Sequence, residues 1–171
     1  MIRSILTASR GRAALAAAFL AAPFLTAAAA PLAGQSDAQL DTWKTELARD
    51  IDGRARFTQQ MVDQIFSFGE LGFQEVETSR YLVDLLRREG FTVEEGIAGI
   101  PTAWVATWGS GEPKISLGTD IDDIPKASQT PGVACQLPLV EGAPGHGEGH
   151  NAGMAVQITA ALAVKDLMER E

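Results

Sequence analysis

An α/β domain is what the sequence predicts, on three observations. Apolar residues recur at helical spacing from residue 40 to residue 86, short apolar runs of strand length follow, and an Ala-rich helical stretch comes last. Ser36, with Gln39 three residues on, reads as a capping box that opens a helix. Leu40, Trp43, Leu47 and Ile51 follow at steps of three and four, giving one apolar stripe. Gly53 is the place for a break, after which Phe57, Met61, Ile65 and Phe68 carry the stripe onward. Residues 69–74 read as a loop. Residues 75–89 read as a second amphipathic helix that buries Tyr81, Leu82, Leu85 and Leu86 and ends at a Gly90 C-cap. Glu70, Glu75 and Glu77 fit the approach to that helix, where carboxylates compensate the N-terminal dipole.

Strands are predicted at 91–95, 102–108 and 114–118, with Gly109-Ser110-Gly111-Glu112 as a hairpin turn between the last two. Trp43, Trp104 and Trp108 fit core or strand packing. From 120 to 149 only Pro and Gly punctuation is visible, and an irregular stretch of that length is more often functional than idle. A last helix is predicted over 151–169, with Asn151 as N-cap and its alanines suited to close packing on a sheet.

The ends and the charge narrow the class. Arg3, Arg10 and Arg12 precede a low-charge, Ala-rich run over 13–30, the anatomy of a secretory signal peptide. Cleavage after Ala29 leaves small residues at the required positions, so residues 1–29 are expected to be removed and the protein to be periplasmic or secreted. A membrane anchor is the competing reading, weakened by Pro23, Thr26 and the many alanines. After signal removal no membrane association is expected, and formal charge falls from −8 to −11 as the three arginines leave. With 22 acidic and 14 basic residues and no basic stripe, no nucleic-acid partner is expected. Cys135 is a lone cysteine, so it can form no intrachain disulfide, and it reads as incidental and not as a ligand.

The chemistry concentrates in Gly145-His146-Gly147-Glu148-Gly149-His150-Asn151, which holds both histidines of the chain. Imidazole and carboxylate are ligands for zinc, manganese and similar divalent metals, and the interleaved glycines let backbone bend closely around an ion. In an extended loop His146, Glu148 and His150 share a face. A second acidic knot, Asp120-Ile121-Asp122-Asp123-Ile124-Pro125, lies upstream, with Asp120 and Asp122 alternating on one face and Ile121 and Ile124 free to turn inward. Ligands gather where loops leave strand ends, which suits this position. Blander readings stay open: a solvated acidic turn for the knot, and helix-capping polar residues for the Gly-rich loop. An EF-hand is excluded by Pro125 at its sixth position. Gly147-x-Gly149-x-x-Ala152 matches a dinucleotide fingerprint only formally, since no strand precedes it. His146-x-Glu148 resembles the start of a zinc deaminase signature whose Pro-Cys-x-x-Cys is absent.

Three phrases, Glu70 to Glu75, Gly96 to Trp104 and Glu141 to Asn151, resemble the dinuclear metal amidohydrolases that include aminoacylases, hippuricases and related carboxypeptidases. Within that family the likeness is to the enzymes that hydrolyse p-aminobenzoyl-glutamate, and it runs from about residue 51 to 171. The resemblance implies a partial zinc-exopeptidase-like catalytic domain, a mixed sheet flanked by helices, over residues 36–171. It implies Asp120 as a metal-ligand position and Asp122 as the catalytic-site aspartate that orients a metal-bound imidazole. A His-x-Cys-Gly-His-Asp motif of the hippuricase branch falls on His146, Glu148, His150 and Asn151, so Glu148 and His150 are the expected ligands, with His146 a further one. Glutamate in place of that cysteine hardens the ligand set and leaves Zn and Mn both open.

The same resemblance implies a small-molecule amide substrate, two metal ions in a complete enzyme, and a homo- or hetero-oligomer. It also implies a general-base glutamate, an adjacent acidic ligand, further histidines and a dimerisation domain, none with a counterpart in these 171 residues. The chain therefore looks like the opening third of such an enzyme and is expected to be inactive alone. The alternative is a non-catalytic module that binds a metal or a partner.

Overall fold

A computed structural model describes residues 36–171; the expected signal peptide lies outside the described residues. The order of elements is α1 (Asp37–Gly53), α2 (Ala55–Phe66), α3 (Val76–Arg88), β1 (Thr92–Glu95), β2 (Trp104–Thr107) and α4 (His150–Arg170), with a short 3-10 turn at Ile97–Gly99. The chain is thus mixed helix with a small sheet. Ser36 opens α1 as expected, its Oγ accepting the backbone N–H of Gln39 at 3.3 Å. Arg54 interrupts the helical run directly after Gly53. At the far end of α3, Gly90 takes a left-handed φ of 86°. The N–H of Phe91 then reaches the carbonyl of Leu86 at 3.0 Å, and that of Gly90 reaches Arg87 at 3.1 Å, the paired bonds of a Schellman cap.

The core sits among three helices. Met61 and Ile65 of α2, Leu82, Leu85 and Leu86 of α3, and Met154, Ala155, Ile158 and Leu162 of α4 form one buried cluster. Val93, Trp104 and Ala106 of the hairpin pack against it, as does Ile121. Small side chains let α4 approach closely, yet α4 lies chiefly along α2 and then α1, while α3 covers the hairpin. Thr58 and Thr159 join hydroxyls at 2.7 Å across the α2–α4 seam. The stripe of α1 finds less cover: none of its residues is fully buried, and Leu40 and Ile51 stay exposed, because α1 packs chiefly on α4 and the start of α2.

The sheet differs from expectation. The described residues hold one sheet of two strands, β1 antiparallel to β2, with Thr92 opposite Thr107 and Glu95 opposite Trp104. The hairpin closes through residues 96–103 and not through Gly109-Gly111. Residues 114–118, expected as a strand, are irregular: Ile115 is 84% exposed, and no neighbouring strand among the described residues takes up the backbone. Apolar alternation makes a strand only where a partner ladder exists. As the sequence predicts, 120–149 carries no helix or strand.

Leu82, fully buried at the centre of the cluster, sets a test. Leu82→Ala is expected to lose about 2–5 kcal/mol through transfer and cavity terms. Leu137→Ala, at an exposed site, is expected to change stability by no more than about 0.5 kcal/mol. Urea unfolding should show a lower midpoint at unchanged slope for the first variant alone.

Candidate metal centre

Two backbone straps position the acidic knot. The Asp123 N–H donates to the Glu70 carbonyl at 2.8 Å, within a parallel bridge between Leu71 and Asp123. Ile124 and Gly145 exchange both backbone hydrogen bonds at 3.1 Å. Gly145 is confined by sterics: a Cβ there would stand 2.3 Å from the Ala127 carbonyl oxygen, which is backbone and cannot swing aside. The knot is therefore held between the loop that leads into α3 and the loop that leads into α4.

Glu70 and Glu75 are consumed by structure. The Glu70 carboxylate accepts the N–H groups of Glu77 and Thr78 at 2.8 and 2.9 Å and the Thr78 hydroxyl at 2.8 Å, capping α3 from outside the helix. Glu75 accepts the Phe73 N–H at 2.9 Å and the buried Thr102 hydroxyl at 2.6 Å.

Gly149, in a left-handed conformation with φ 103°, turns the chain into α4, and His150 is the first helical residue. Asn151, expected as the N-cap, lies instead inside the helix, buried, with its amide donating to the Val62 carbonyl at 3.4 Å. The left-handed Gly149 starts the helix two residues earlier than an Asn151 cap would. The His150 Nδ1 faces the Asp122 carbonyl at 2.9 Å and Asp122 Oδ1 at 3.1 Å. Its Nε2 faces Glu148 Oε2 at 3.6 Å and Asp120 Oδ2 at 4.0 Å. The imidazole is 19% exposed, whereas Glu148 and Asp120 are 66% and 82% exposed. Burial alone pulls His150 towards the neutral form. The hydrogen bond to the Asp122 carbonyl and the charges of Glu148, Asp122 and Asp120 outweigh it, and the imidazole titrates above its ordinary value.

His146, expected beside His150, stands apart from this group. Its Nε2 lies 3.0 Å from the Ile65 carbonyl and its Nδ1 2.7 Å from Asp123 Oδ1, with both side chains only 1% exposed. Burial raises the Asp123 carboxyl above its usual range, although the His146 ring works against that rise. Asp123 is not among the residues the sequence singles out as candidates. Strand-like alternation is the signal that could have found it, since Ile121 and Asp123 share the parity that turns inward, while Ile124 remains exposed.

The donors around His150 fit a divalent cation in chemistry and only partly in placement. A metal-bound imidazole usually gives its second N–H to a carbonyl or carboxylate, and Asp122 offers both to Nδ1, leaving Nε2 directed at two carboxylates. Donors sharing a tetrahedral ion at about 2.0–2.2 Å each stand roughly 3.4 Å apart. The Glu148 oxygen is already near that separation from Nε2, and the Asp120 oxygen is farther. Among the described residues no three of His, Cys, Asp or Glu meet at ion-binding distance.

Comparison with known proteins agrees with the residues. The chain is 36% identical over 130 residues to a subunit of p-aminobenzoyl-glutamate hydrolase from Escherichia coli, an alignment covering 73% of this chain. The chain belongs to the family of that hydrolase. A weaker match, 31% identical over 87 residues and 50% of this chain, is to thermostable carboxypeptidase 1 of Saccharolobus solfataricus. The alignments span 27% and 22% of those relatives' own lengths. No protein-family model matches the chain, and no solved structure does. The family is thus one of hydrolases and peptidases.

His150 gives the site a measurable signature in the metal-free chain. Its NMR titration midpoint should lie above that of an unperturbed histidine, and Glu148→Gln should lower it by removing one raising charge. Because the folded value is raised, the stability this group contributes is complete below the unfolded value and is lost as pH climbs through the folded one.

Proposed function

We propose that residues 36–171 form the N-terminal part of the catalytic domain of an exported, metal-dependent amidohydrolase, and that His150 and Glu148 hold a divalent ion with Asp120 as a third donor. One observation carries this reading: the His150 ring has Nδ1 anchored on Asp122 and Nε2 turned toward two carboxylates that have no other assigned work. Three carboxylates around one imidazole leave an excess of negative charge even when the ring is protonated. The positive end of α4 offsets only part of it, since a helix N-terminus is equivalent to roughly half a charge. A divalent cation supplies the remainder.

Each residue then has a task. Asp122 fixes the ring's tautomer and orientation, while Glu148 and Asp120 bring charge to the open edge of Nε2. His146 acts outside the ligand set. A bound ion there would supply Lewis-acid polarisation of an amide carbonyl and would acidify water at neutral pH. The relatives' names point to substrates of the p-aminobenzoyl-glutamate and carboxy-terminal peptide type, an aryl or acyl amide bearing a carboxylate. Nitrogen and carboxylate donors without thiolate accept Zn²⁺ and Mn²⁺ alike.

The test is metal binding by the purified chain. Calorimetry with Zn²⁺ and Mn²⁺ should show binding that His150→Ala abolishes and that weakens as acid protonates the ring, because imidazolium cannot ligate. Retained binding in His150→Ala would sink the assignment. Assayed alone with either metal, the 171 residues are expected to leave p-aminobenzoyl-glutamate intact, and robust turnover would refute the partial-domain reading.

A second reading, a partner-binding module, draws on the exposed apolar residues Ile115, Leu117, Leu139 and Val140, all in irregular backbone. It predicts self-association or capture of a complementary chain on size-exclusion chromatography. A stable lone monomer counts against it.

A further inference from the structure

We propose that Asp123 and His146 act as a buried clasp that positions the His150 imidazole, governing cation binding without touching the cation. This rests on the reading of His150 as a ligand. The route is short and consists of one peptide unit. The Asp122 carbonyl and the Asp123 N–H belong to the same planar amide. On one side that amide donates to the Glu70 carbonyl at 2.8 Å; on the other it receives His150 Nδ1 at 2.9 Å. Whatever holds the Asp123 side chain therefore holds the plane in which the His150 acceptor lies.

Among the described residues, one cationic or donor group faces the Asp123 side chain. Both its oxygens are buried and have no hydrogen bond of good geometry, and the His146 Nδ1 approaches Oδ1 to 2.7 Å. A buried carboxyl with no other donor is costly unless a proton or cation meets it, so the imidazole is its necessary counterpart. The other edge of that ring, Nε2, bonds the Ile65 carbonyl in the last turn of α2. Phe66 lies against the same ring, with centroids 6.1 Å apart. His146 thus ties the acidic knot to the end of α2 from within the loop that carries Glu148 and His150. Nε2 bonds the Ile65 carbonyl and Nδ1 faces the buried Asp123 carboxyl, so both edges of the His146 ring are turned toward protein groups away from His150 Nε2, and the clasp is a positioning device.

The experiment uses the whole chain and two readouts. Ring ¹⁵N shifts of His150, recorded without metal, report which nitrogen carries the proton. Competition with a chromogenic chelator gives the Zn²⁺ dissociation constant. Asp123→Ala and His146→Ala are each expected to scramble the His150 tautomer and to weaken Zn²⁺ by about 10–100-fold, the usual effect of losing a supporting partner. Combining them should add little to either alone, because they break one contact. Asp123→Asn, whose amide can still donate to the His146 Nδ1, should restore both tautomer and affinity, which a loss of packing would not permit. If the alanine variants fail to fold, His146→Gln decides, since its single amide cannot span Asp123 and Ile65 together; reduced affinity supports the clasp. Unchanged tautomer and affinity in folded Asp123→Ala, or in His146→Gln, overturns it. If the unaltered chain binds no Zn²⁺, the ligand reading fails, and the tautomer measurement alone still judges the clasp.

Discussion

Two reciprocal hydrogen bonds between Ile124 and Gly145, with the strap from Asp123 to Glu70, hold a region that has no ladder of its own. Residues 120–149 contain neither helix nor strand, so nothing periodic fixes their path. These few backbone contacts bring the acidic knot against the loop that opens α4. They also require glycine at 145, where the backbone of Ala127 occupies the space a side chain would need. The placement of His150 among Asp120, Asp122 and Glu148 follows from that juxtaposition.

The acids of this chain divide by what already satisfies them. Glu70 accepts backbone and hydroxyl donors in the first turn of α3, and Glu75 accepts the Phe73 N–H and the buried Thr102 hydroxyl. Asp123 is buried against His146. Asp120 and Glu148 are different, being exposed and close to one imidazole edge without a strong donor. Exposed carboxylates left this way can take a cation without any protein contact being broken to admit it.

Much of the fold was legible in the residues, for local reasons. The Ser36 hydroxyl and Gly90 made helix ends readable because caps are chemistry within a few residues. Met61, Ile65, Leu82, Leu85 and Leu86 were readable because helical periodicity maps directly onto a buried face. The site was partly legible too: the His-Gly-Glu-Gly-His spacing singled out Glu148 and His150, and the Asp-Ile-Asp alternation singled out Asp120 and Asp122. Other assignments depended on distant partners. Residues 114–118 have strand composition but no neighbouring ladder among the described residues, and Asn151 gave way as cap to a left-handed Gly149. His146 and Asp123 could be told from ligands only by their neighbours, Ile65 among them, which lies 81 residues before His146 in the chain.

By itself the sequence determined the helices, the caps at Ser36 and Gly90, the irregular character of 120–149 and the kinds of side chain available for chemistry. Each of these is set by neighbours within about a turn of helix or a turn of loop. Tertiary structure alone decided which strands would pair, which histidine turned to the carboxylates and which was locked inside, and that Asp122 holds His150 through a backbone carbonyl. Those outcomes depend on contacts between segments far apart in the chain, whose geometry no local pattern encodes.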